Sequence, residues 1–355
     1  MKNDMGNPPR LIFWETTAAC NLECVHCRRT SAIGGGGARE LSTEEAARFI
    51  ESLARDFEDS PVLVLSGGEP LLRADLFEWV RFARGKNIRL ALATNGTLVD
   101  NDMASEIVRS GIGRVSISFD GAGPETHDRF RNMPGSFEKA VRGFKNLKNL
   151  GMPMQVNATV SRHNVHEVEK IFEMALGLGA ESLHYFLLVP VGCGAEIKVS
   201  HQLSPSEYEE TLTCVHRLSR RGTMHVRPIC APHYFRILAG ERNAFPGQSG
   251  RGPFLSMTKG CLAGTGIVFV SHTGEVFPCG YLPLSCGNVR EGALKDIWEN
   301  SEILRKLRGE EFLEGKCGAC EYRTVCSGCR ARAYQDSGNF LAEEPNCVYS
   351  PRGAG

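Results

Sequence analysis

Three cysteines near the start of the chain are close enough in sequence to bind one metal centre together. Cys20, Cys24 and Cys27 follow a C-x3-C-x2-C pattern, directly after an apolar run that predicts a strand. Three thiolates can bind three irons of a 4Fe–4S cluster and leave the fourth iron open to another ligand. Structural zinc sites usually have four ligands with paired C-x2-C spacing, so the pattern favours an iron–sulfur cluster over zinc.

A second and denser group of cysteines follows Gly260. Its members are Cys261, Cys279, Cys286, Cys317, Cys320, Cys326, Cys329 and Cys347. Within it, the two C-x2-C pairs between Cys317 and Cys329 suit zinc on spacing alone, so both metals stay open for this group. Cys193 and Cys214 fit no ligand spacing, and we expect them to be small buried apolar residues.

The composition limits the partners and the compartment that such clusters can have. The chain has 355 residues and 14 cysteines, with 41 lysines and arginines against 41 aspartates and glutamates. The balanced charge argues against nucleic acid as the main partner, and no apolar run is long enough to predict a membrane span. Because residues 1–10 contain no apolar signal segment, we expect a cytoplasmic protein whose thiols stay reduced rather than a disulfide scaffold.

Six short apolar runs, and the amphipathic segments between them, must position the first cysteine group. The runs that predict strands are Leu11–Thr17, Val62–Ser66, Ile88–Thr94, Arg114–Phe119, Met154–Val160 and Leu183–Val189. The segments with a helical period start at Ser42 or lie near Leu76–Ala83, Met103–Ser110, Phe137–Leu150 and Val165–Leu178. Near-continuous apolar strands are typical of parallel sheets. Six β-α units in series predict an α/β fold with a partial (β/α)6 barrel, whose functional residues lie at the carboxyl ends of the strands.

These patterns divide the chain into four segments. They are an N-terminal extension at residues 1–10, the partial barrel at residues 11–190, a helical and irregular linker at residues 191–260 and a cysteine-rich module at residues 261–355. The linker is expected to hold two helices. The module shows a hairpin signal at His272–Gly274 and a helical pattern near Leu294–Leu307. The glycine run at Gly34–Gly37 predicts a mobile loop over the mouth of the site.

Motifs at the ends of the predicted strands add to the interpretation of the first cysteine group. Ser66–Pro70, with the sequence SGGEP, ends the second strand, Thr94–Gly96 the third and Ser116–Gly121 the fourth. Taken alone, each is as typical of a turn as of a site. In this order after the C-x3-C-x2-C pattern, they resemble the radical S-adenosylmethionine (SAM) superfamily, in which the open iron of the cluster binds SAM.

The resemblance implies roles for individual residues. By resemblance, the catalytic cluster ligands are Cys20, Cys24 and Cys27. The motif that binds the methionyl amine of SAM is Gly67, Gly68 and Glu69. The other SAM contacts are Asn95, Ser118, Asp120 and Asn157. In this superfamily, the reduced cluster cleaves SAM to a 5′-deoxyadenosyl radical, which removes a hydrogen atom from an unactivated carbon. Arg131 lies in a stretch that resembles a further family motif, and it either reaches an anionic group or forms a surface salt bridge.

The C-terminal module resembles the SPASM domain, which carries auxiliary iron–sulfur clusters in many radical SAM enzymes. The resemblance implies one 4Fe–4S cluster on Cys317, Cys320, Cys326 and Cys347 and part of a second on Cys261, Cys279 and Cys329. Cys286 or Cys230 is the expected fourth ligand of the second cluster; otherwise that cluster has an open iron or is absent. The last cysteine pair has C-x2-C spacing where the family usually has C-x3-C. One or two auxiliary clusters, and the division of ligands between them, therefore stay open.

Longer phrases resemble the branch of this superfamily that makes haem in the sirohaem-dependent pathway. They lie within residues 230–236, 261–289 and 326–347. The resemblance implies that two propionate side chains of Fe-coproporphyrin III lose a hydrogen atom, carbon dioxide and an electron, and become the vinyl groups of haem b. It also implies a low-potential electron donor such as ferredoxin or flavodoxin, and an auxiliary cluster that accepts the electron from the substrate radical.

A substrate with four carboxylates requires cationic side chains near the mouth of the barrel. The candidates are Arg28, Arg29, Arg39, Arg227, Arg236 and Arg251, with His233 and Tyr234 as residues that could approach the porphyrin. Ordinary surface arginines and a structural histidine explain these residues as well.

Other functions stay compatible with the sequence. Enzymes that process didecarboxysirohaem or make haem d1 share this architecture. A peptide-modifying SPASM maturase usually has a peptide-docking domain before the barrel, whereas only ten residues precede the first predicted strand here. A non-catalytic iron–sulfur electron carrier needs neither an open iron nor the glycine motif at Gly67–Glu69.

Overall fold

The six apolar runs form the strands that the sequence predicts, in a computed structural model that describes residues 7–29, 39–244 and 259–352. The strands are β1 (Leu11–Glu15), β2 (Val62–Ser66), β3 (Leu90–Thr94), β4 (Arg114–Ser118), β5 (Met154–Val160) and β6 (Ser182–Leu187). Three of them end earlier than predicted, so that Thr16, Phe119 and Leu188 lie in the loops that follow. The loop predicted at Gly34–Gly37 lies outside the described residues.

Helices alternate with these strands. They are α1 (Thr43–Asp56), α2 (Leu76–Gly85), α3 (Asn101–Ser110), α4 (Pro124–Arg131), α5 (Ser136–Asn149) and α6 (Val168–Gly177). The α1 helix begins as predicted, because the Ser42 hydroxyl accepts from the Glu45 amide while the Glu45 carboxylate accepts from the Ser42 amide. The α4 helix is an addition to the predicted pattern and has Pro124 in its first turn. None of the helices in the described ranges combines the length and the apolar character that crossing a membrane requires.

The six strands lie in chain order in one parallel sheet. Because β-α-β crossovers are right-handed and each strand is added at the same edge, the helices cover one face of the sheet. Residues on that face, such as Trp14, Leu65 and Leu92, are fully buried. Many of the partly exposed residues of the other face are small or polar, and among them are Ser66, Ala91, Ala93, Ser118, Gln155, Asn157 and Thr159, next to the larger apolar Phe13, Val64 and Phe186. This inner face of the partial barrel can therefore line a polar cavity.

The segment after β6 is more regular than the predicted linker. It contains α7 (Cys193–Glu196), α8 (Lys198–His201), α9 (Pro205–Ser219), β7 (His225–Ile229) and α10 (His233–Ala244). The β7 strand pairs in parallel with β6 and forms one edge of the sheet. The expectation of a helical and irregular linker at residues 191–260 is therefore corrected by a seventh strand. This strand is short and contains Pro228, which an edge strand tolerates but which obscures the strand pattern in the sequence.

The cysteine-rich module continues the same sheet beyond β1. Its elements are β8 (Ile267–Val270), β9 (Glu275–Phe277), β10 (Gly287–Asn288), α11 (Leu294–Asn300), α12 (Glu302–Arg308), α13 (Gly315–Ala319) and α14 (Arg330–Ser337). The β8 strand pairs in parallel with β1, from Leu11 opposite Ile267 to Trp14 opposite Val270. The helical pattern near Leu294–Leu307 forms two helices, α11 and α12, which meet at Ser301. The barrel and the module thus share one framework.

Candidate functional site

The first three cysteines lie on the loop that follows β1. The Cys27 amide donates to the Cys24 carbonyl at 3.1 Å, and the Gly194 amide donates to the Cys27 carbonyl at 3.2 Å. Burial raises the pKa of Cys24 to about 11 and also raises that of Cys20, and the nearby Cys27 thiol acts on both in the same direction. Cys27 therefore lies close to both other thiols, and a metal that binds here has to displace the protons of Cys20 and Cys24.

The surroundings of these thiols suit an iron–sulfur cluster. The Leu22 amide donates to Cys20 Sγ at 3.4 Å, and Arg131 Nη1 donates to Cys24 Sγ at 3.7 Å. Hydrogen bonds to cysteine sulfur are one of the means by which proteins tune the potential of such clusters. Among the described residues, no three Cys, His, Asp or Glu side chains stand in the arrangement of a metal-ion site. The fit to a cluster thus rests on the type of the donors and on their neighbours.

Arg131 links the cysteine loop to the end of β4. Its Nη2 lies 2.7 Å from Asp120 Oδ2, and His26 Nε2 lies 3.1 Å from the same oxygen. The Thr159 amide donates to Asp120 Oδ1 at 2.7 Å. Burial favours the neutral acid, but Arg131 and His26 hold the pKa of Asp120 well below its usual range. Arg131 is buried rather than on the surface. Asp120 Oδ2 faces Arg131 and the His26 side chain of the cysteine loop, while Asp120 Oδ1 accepts from β5.

The glycine motif after β2 packs against the cysteine loop. The Gly68 amide donates to the Thr17 carbonyl at 2.9 Å, and the Glu69 amide donates to the Ala19 carbonyl at 2.8 Å. A Cβ atom on Gly68 would lie 2.1 Å from the Ala19 oxygen, and one on Gly67 would lie 2.8 Å from the Thr17 oxygen. Only glycine permits so close an approach of two backbones, so the motif fixes the spacing between these two loops.

The Glu69 carboxylate is fully buried and connects the motif to the end of β3. Its Oε1 accepts from the Thr94 hydroxyl at 2.7 Å, and its Oε2 accepts from the Asn95 amide at 2.8 Å. Burial raises the pKa of this carboxyl, and the hydrogen bonds oppose that rise. Glu69 therefore joins three loops at the carboxyl ends of β1, β2 and β3, which is where the fold is expected to hold a ligand.

Asn95 belongs to a small network of polar side chains that the sequence analysis did not find. Asn95 Nδ2 donates to Asn21 Oδ1 at 2.8 Å, and Asn21 Nδ2 donates to Thr97 Oγ1 at 2.8 Å. The Thr97 hydroxyl in turn donates to Asn95 Oδ1 at 2.7 Å. Asn21 lies inside the cysteine loop, and its position between Cys20 and Cys24 was the signal available in the sequence.

Ser118 and Asn157 lie side by side on the inner face of the sheet. The two residues are opposite each other in the pairing of β4 with β5, and both are partly exposed. Asn157 Oδ1 accepts from Gln155 Nε2 at 2.7 Å. Gln155 Nε2 also lies 3.0 Å from His184 Nδ1 on β6. The predicted residues Ser118 and Asn157 are thus part of a polar strip that a bound molecule can reach.

Arg29 offers a buried charge beside the glycine motif. Its Nη1 has no hydrogen-bond partner within the described part of the chain, and it would lie 2.7 Å from a Cβ on Gly68. Its Nε is 3.7 Å from Glu15 Oε1. An unpaired guanidinium nitrogen in this position can bind a carboxylate. The glycine motif, this nitrogen and the polar strip together fit a cofactor with an amino-acid group, as SAM has.

Glu15, at the end of β1, connects the cysteine loop to the cysteine-rich module. Its Oε1 accepts from Arg28 Nη2 at 2.9 Å, and its Oε2 binds the His272 ring in the β8–β9 hairpin. The Arg28 guanidinium also lies 4.3 Å from the centre of the Phe269 ring. Burial raises the pKa of Glu15, but the stronger combined effect of Arg28, His272 and Arg29 lowers it to about 2. Glu15 is therefore charged, and Arg28 is held at the junction of the two regions.

The other cationic candidates are spread over the molecule. Arg39 is exposed and pairs with Glu45, whereas Arg236 pairs with Glu209 on α9. Arg227 is partly buried on β7, opposite His184 in the sheet. Arg251 lies outside the described residues. Of the three described residues, Arg39, Arg227 and Arg236, the structure thus places only Arg227 next to the polar strip.

His233 and Tyr234 lie between helices rather than on the inner face of the sheet. The His233 ring packs edge-on against Tyr208 of α9, with 5.4 Å between the ring centres. The Tyr234 hydroxyl lies 3.3 Å from His216 Nδ1 and 3.2 Å from Ser219 Oγ, also on α9. These contacts give both residues a part in the packing of α9 against α10.

Backbone amides point at the sulfurs of one part of the second cysteine group. The Tyr322 amide donates to Cys320 Sγ at 3.4 Å, the Gly328 amide donates to Cys326 Sγ at 3.4 Å and the Glu344 amide donates to Cys317 Sγ at 3.3 Å. The structure also places Cys347 nearby, since the Lys316 side chain donates to its carbonyl. This arrangement repeats that of Leu22 and Cys20 and suits an iron–sulfur cluster on these four residues.

A second set of thiols in the module lies next to the set of Cys317, Cys320, Cys326 and Cys347. Burial raises the pKa of Cys279 to about 12, and the thiols of Cys261 and Cys329 act in the same direction. Cys286 is not in this set. Its thiol is 3.6 Å from the Leu284 carbonyl, and its charged or polar neighbours are Ser301 and Arg308. None of the fourteen cysteines, all of which are described, is paired in a disulfide.

Family models match both regions of the chain. The model of the radical SAM superfamily matches residues 14–175, and that of the SPASM iron–sulfur cluster-binding domain matches residues 261–330. Among solved structures, the chain resembles anSMEcpe with bound AdoMet, with a TM-score of 0.72 and 21% identity over 96% of this chain and 94% of that one. Streptococcus suis SuiB bound to S-adenosylmethionine gives a TM-score of 0.74 at 13% identity, over 96% and 77% of the two chains.

Curated proteins are similar over nearly the whole chain. The "AdoMet-dependent heme synthase" of Methanosarcina barkeri is 48% identical over 98% of each chain, and that of Oleidesulfovibrio alaskensis is 44% identical over 98% of this chain and 89% of its own. The "Fe-coproporphyrin III synthase" of Methanosarcina barkeri is 33% identical over 95% of this chain and 87% of its own.

Proposed function

Because this chain belongs to the radical SAM superfamily and carries a SPASM domain, we propose that it is a haem synthase that converts two propionate groups of Fe-coproporphyrin III to vinyl groups. The observation that carries the proposal is the similarity to proteins named as heme synthases, which extends over nearly the entire chain. Relatives named for peptide modification or for other tetrapyrroles are less similar, so those alternatives are not favoured.

The family fixes the cofactors. A radical SAM domain implies a 4Fe–4S cluster with SAM, and a SPASM domain implies auxiliary iron–sulfur clusters. When bound, the cluster and SAM provide one-electron chemistry that can remove a hydrogen atom from an unactivated carbon. The protein then has to bind these groups, orient them and keep water away from the reacting carbon.

The residues at the carboxyl ends of β1, β2 and β3 have the properties to bind the cofactor. In the proposal, Cys20, Cys24 and Cys27 hold the cluster. The buried Arg131 guanidinium stabilises the thiolate of Cys24, because a nearby positive charge favours the ionised form. Arg29 Nη1 binds the carboxylate of SAM over the glycine motif, where a larger residue than Gly68 has no room.

The inner face of the sheet has the properties to bind the substrate. Its small and polar residues leave space, and Arg227 on β7 provides a charge for a propionate. In the proposal, the cysteines of the module would hold auxiliary clusters, which would supply an acceptor for the electron that each decarboxylation releases. A low-potential donor such as ferredoxin or flavodoxin reduces the cluster at Cys20, Cys24 and Cys27.

The proposal is tested by anaerobic incubation of the reconstituted protein with SAM, a reductant and Fe-coproporphyrin III, followed by mass spectrometry. We expect two successive losses of one formic-acid equivalent each, together with formation of 5′-deoxyadenosine. The Cys24→Ala variant is the control for SAM cleavage and should give neither product. Unchanged Fe-coproporphyrin III beside conversion of didecarboxysirohaem or of a peptide would contradict the proposal.

A variant of the second cysteine group separates the two kinds of cluster. We expect Cys320→Ala to cleave SAM at close to the original rate but to form vinyl groups more slowly, since its auxiliary cluster is impaired. The ratio of 5′-deoxyadenosine to porphyrin product, measured over time, reports this uncoupling. A ratio equal to that of the original protein would show that this cluster takes no part in the reaction.

A further inference from the structure

We propose that Cys230 provides the fourth thiolate of the auxiliary cluster whose other ligands are Cys261, Cys279 and Cys329. Three thiolates leave one iron of a 4Fe–4S cluster without a protein ligand. Spacing alone leaves Cys286 and Cys230 as candidates for this position. The structure separates them, because the Cys230 thiol has Cys261, Cys279 and Cys329 as neighbours, whereas the Cys286 thiol has Ser301 and Arg308.

Cys230 reaches the module from the edge of the barrel. It directly follows β7, and Pro232 after it packs against Gly260. A Cβ atom on Gly260 would lie 2.8 Å from Pro232 Cβ and 2.6 Å from the Cys326 carbonyl oxygen. Because Gly260 immediately precedes Cys261, the backbones that carry Cys230 and Cys261 are in contact.

One buried ion pair orients the peptide groups of both Cys230 and Cys329. Arg332 Nη2 donates to the Cys230 carbonyl at 2.5 Å, and Arg332 Nε donates to Glu344 Oε1 at 2.9 Å. The other oxygen of Glu344 accepts from the Cys329 amide at 2.7 Å. The Arg332 and Glu344 side chains are 1% and 0% exposed. Two segments far apart in sequence are thus held in fixed relation by the same pair of charges.

The backbone of Cys230 has a conformation that is costly for a residue with a side chain. Its φ is +55°, in the left-handed region that residues with a Cβ atom rarely adopt. The Tyr208 hydroxyl also donates to its carbonyl, at 3.2 Å. A strained residue held by several surrounding contacts often has a functional reason for its conformation.

The neighbours of the thiol are consistent with this position. Burial raises the pKa of Cys230 well above its ordinary value, and the thiols of Cys329, Cys279 and Cys261 act in the same direction. Binding of a metal removes the unfavourable interaction between the thiolates, because each thiolate then lies next to positive charge.

Cys286 lies elsewhere. Its amide donates to the Val276 carbonyl at 2.8 Å, in the pairing of β10 with β9. Its side chain lies near Ser301, where α11 meets α12, and near Arg308 at the end of α12. A cluster ligated by Cys230 instead is closed by four thiolates and can carry electrons, but it has no open iron for a substrate.

The test compares Cys230→Ala with the matched variant Cys286→Ala. Both are made in the full-length chain with Cys20, Cys24 and Cys27 replaced by alanine, so that only auxiliary clusters contribute to the spectra. Iron and sulfide per chain are measured after anaerobic reconstitution, and EPR spectra of the reduced proteins are recorded with and without cyanide. Circular dichroism checks the fold, and Cys230→Ser serves if the alanine variant does not fold.

We expect Cys286→Ala to retain all of the auxiliary iron and a spectrum that cyanide does not change. Cys230→Ala should lose the iron of one cluster, or keep that cluster with an open iron whose EPR signal shifts on addition of cyanide. Full iron content with a cyanide-insensitive spectrum in Cys230→Ala would overturn the assignment, as would loss of a cluster in Cys286→Ala. No porphyrin takes part in these measurements, so the outcome is independent of the proposed substrate.

Discussion

Arg131 combines two tasks that make it the most informative single residue near the first cysteine loop. It donates to Cys24 Sγ, and it forms an ion pair with Asp120, which is 0% exposed. The sequence motif around Arg131 was recognisable, but the partners of the guanidinium were not, because Cys24 lies in the loop after β1 and Asp120 in the loop after β4. The structure thus gives Arg131 contacts that would couple the proposed cluster binding to stability.

Replacement of Arg131 by methionine should therefore cost stability as well as cluster binding. The change leaves Asp120 buried with His26 as its main remaining partner, and removal of one member of a buried ion pair typically costs about 3–5 kcal/mol. Anaerobic urea unfolding measures this loss, and the EPR signal of the reduced cluster measures its occupancy. Arg131→Lys keeps the charge and should recover part of both. An Arg131→Met protein as stable as the original would show that His26 alone compensates Asp120.

Gly68 is a position where a single methyl group should be harmful. Its added Cβ would lie 2.1 Å from the Ala19 carbonyl oxygen, which is backbone and cannot rotate away. We expect Gly68→Ala to lower the melting temperature and to abolish SAM binding measured by calorimetry. Gly85→Ala is the matched control, since nothing lies within 4 Å of the added atom at the end of α2. It should be neutral or slightly stabilising, by up to about 1 kcal/mol, and equal effects of the two changes would contradict this reasoning.

His127 should make the stability of the protein depend on pH. Its Nδ1 accepts from the Asp120 amide at 3.1 Å, and burial lowers its pKa from 6.5 to about 4. Between these values the unfolded chain binds a proton that the folded protein does not, so stability falls as the pH decreases. The loss from pH 7 to pH 5 should be about 2 kcal/mol.

Urea unfolding of the original protein and of His127→Gln at several pH values measures this contribution. Glutamine can still accept the amide hydrogen bond, but it does not titrate. The difference between the free energies of unfolding of the two proteins should therefore shrink as the pH falls from about 6.5 towards 4. The size of this change is the contribution of His127. A constant difference over this range would mean that His127 keeps its ordinary pKa in the folded protein.

At the scale of elements, the sheet extends beyond the strands that the sequence identified. The six predicted strands appear because each is a nearly continuous apolar run, and α1 begins where the capping box predicts it. The β7 strand is hidden by Arg227 and Pro228, and the apolar run of β8 gives no indication that it pairs with β1. Pairing of β8 with β1 depends on contacts such as that between Glu15 and His272, which no local pattern contains.

The same limit applies to the candidate site. Glu69, Asn95 and Asp120 were found from motifs at strand ends, which is a local property of the sequence. Their hydrogen bonds to neighbouring loops, and the unpaired nitrogen of Arg29, follow only from the assembled sheet. A site at the ends of parallel strands is therefore predictable in its location, whereas the partner of each side chain is not.

Glu15→Gln should weaken the contact between the module and the barrel. The carboxylate holds Arg28 and His272, and hydrogen bonds to charged groups typically contribute about 1.5–3 kcal/mol. We expect a loss of about 2 kcal/mol in the free energy of unfolding at neutral pH. This loss of stability is expected at neutral pH because the pKa of Glu15 is about 2. The ion pairs of Glu15 therefore disappear only as the pH falls from about 4.5 towards 2.

Hydrogen exchange gives the localised measurement for this variant. Amides of β8 should exchange faster in Glu15→Gln, while those of β4 and β5 should not change. The control is Glu51→Gln, which removes an exposed pair with Lys86 and should alter stability by no more than about 0.5 kcal/mol. If the two variants behave alike, the pairing of β8 with β1 does not depend on Glu15.

At the scale of the whole molecule, the cysteine-rich module is attached to the barrel at two separate places. One is the β1–β8 pairing with Glu15, next to the first cysteine loop. The other is the Arg332–Glu344 pair, which reaches the Leu188 carbonyl after β6 as well as Cys230 after β7. One attachment is at β1 and the other is near β6 and β7, at the far end of the run of barrel strands. Together they fix the module against the barrel, and a fixed distance between clusters is what electron transfer between them requires.

The second attachment can be tested by a pair of substitutions. Arg332→Met leaves the Glu344 carboxylate buried and uncompensated, which should cost about 3–5 kcal/mol. The double variant Arg332→Met with Glu344→Gln removes the leftover charge while keeping an oxygen for the Cys329 amide, so it should be more stable than the single variant. Arg217→Met, in an exposed pair with Glu169, should change stability by about 0.5 kcal/mol or less. Anaerobic urea unfolding of the four proteins gives the differences in their free energies of unfolding. A double variant no more stable than Arg332→Met would mean that Arg332 acts through its hydrogen bonds to Leu188 and Cys230, and that the charge of Glu344 is compensated by other groups.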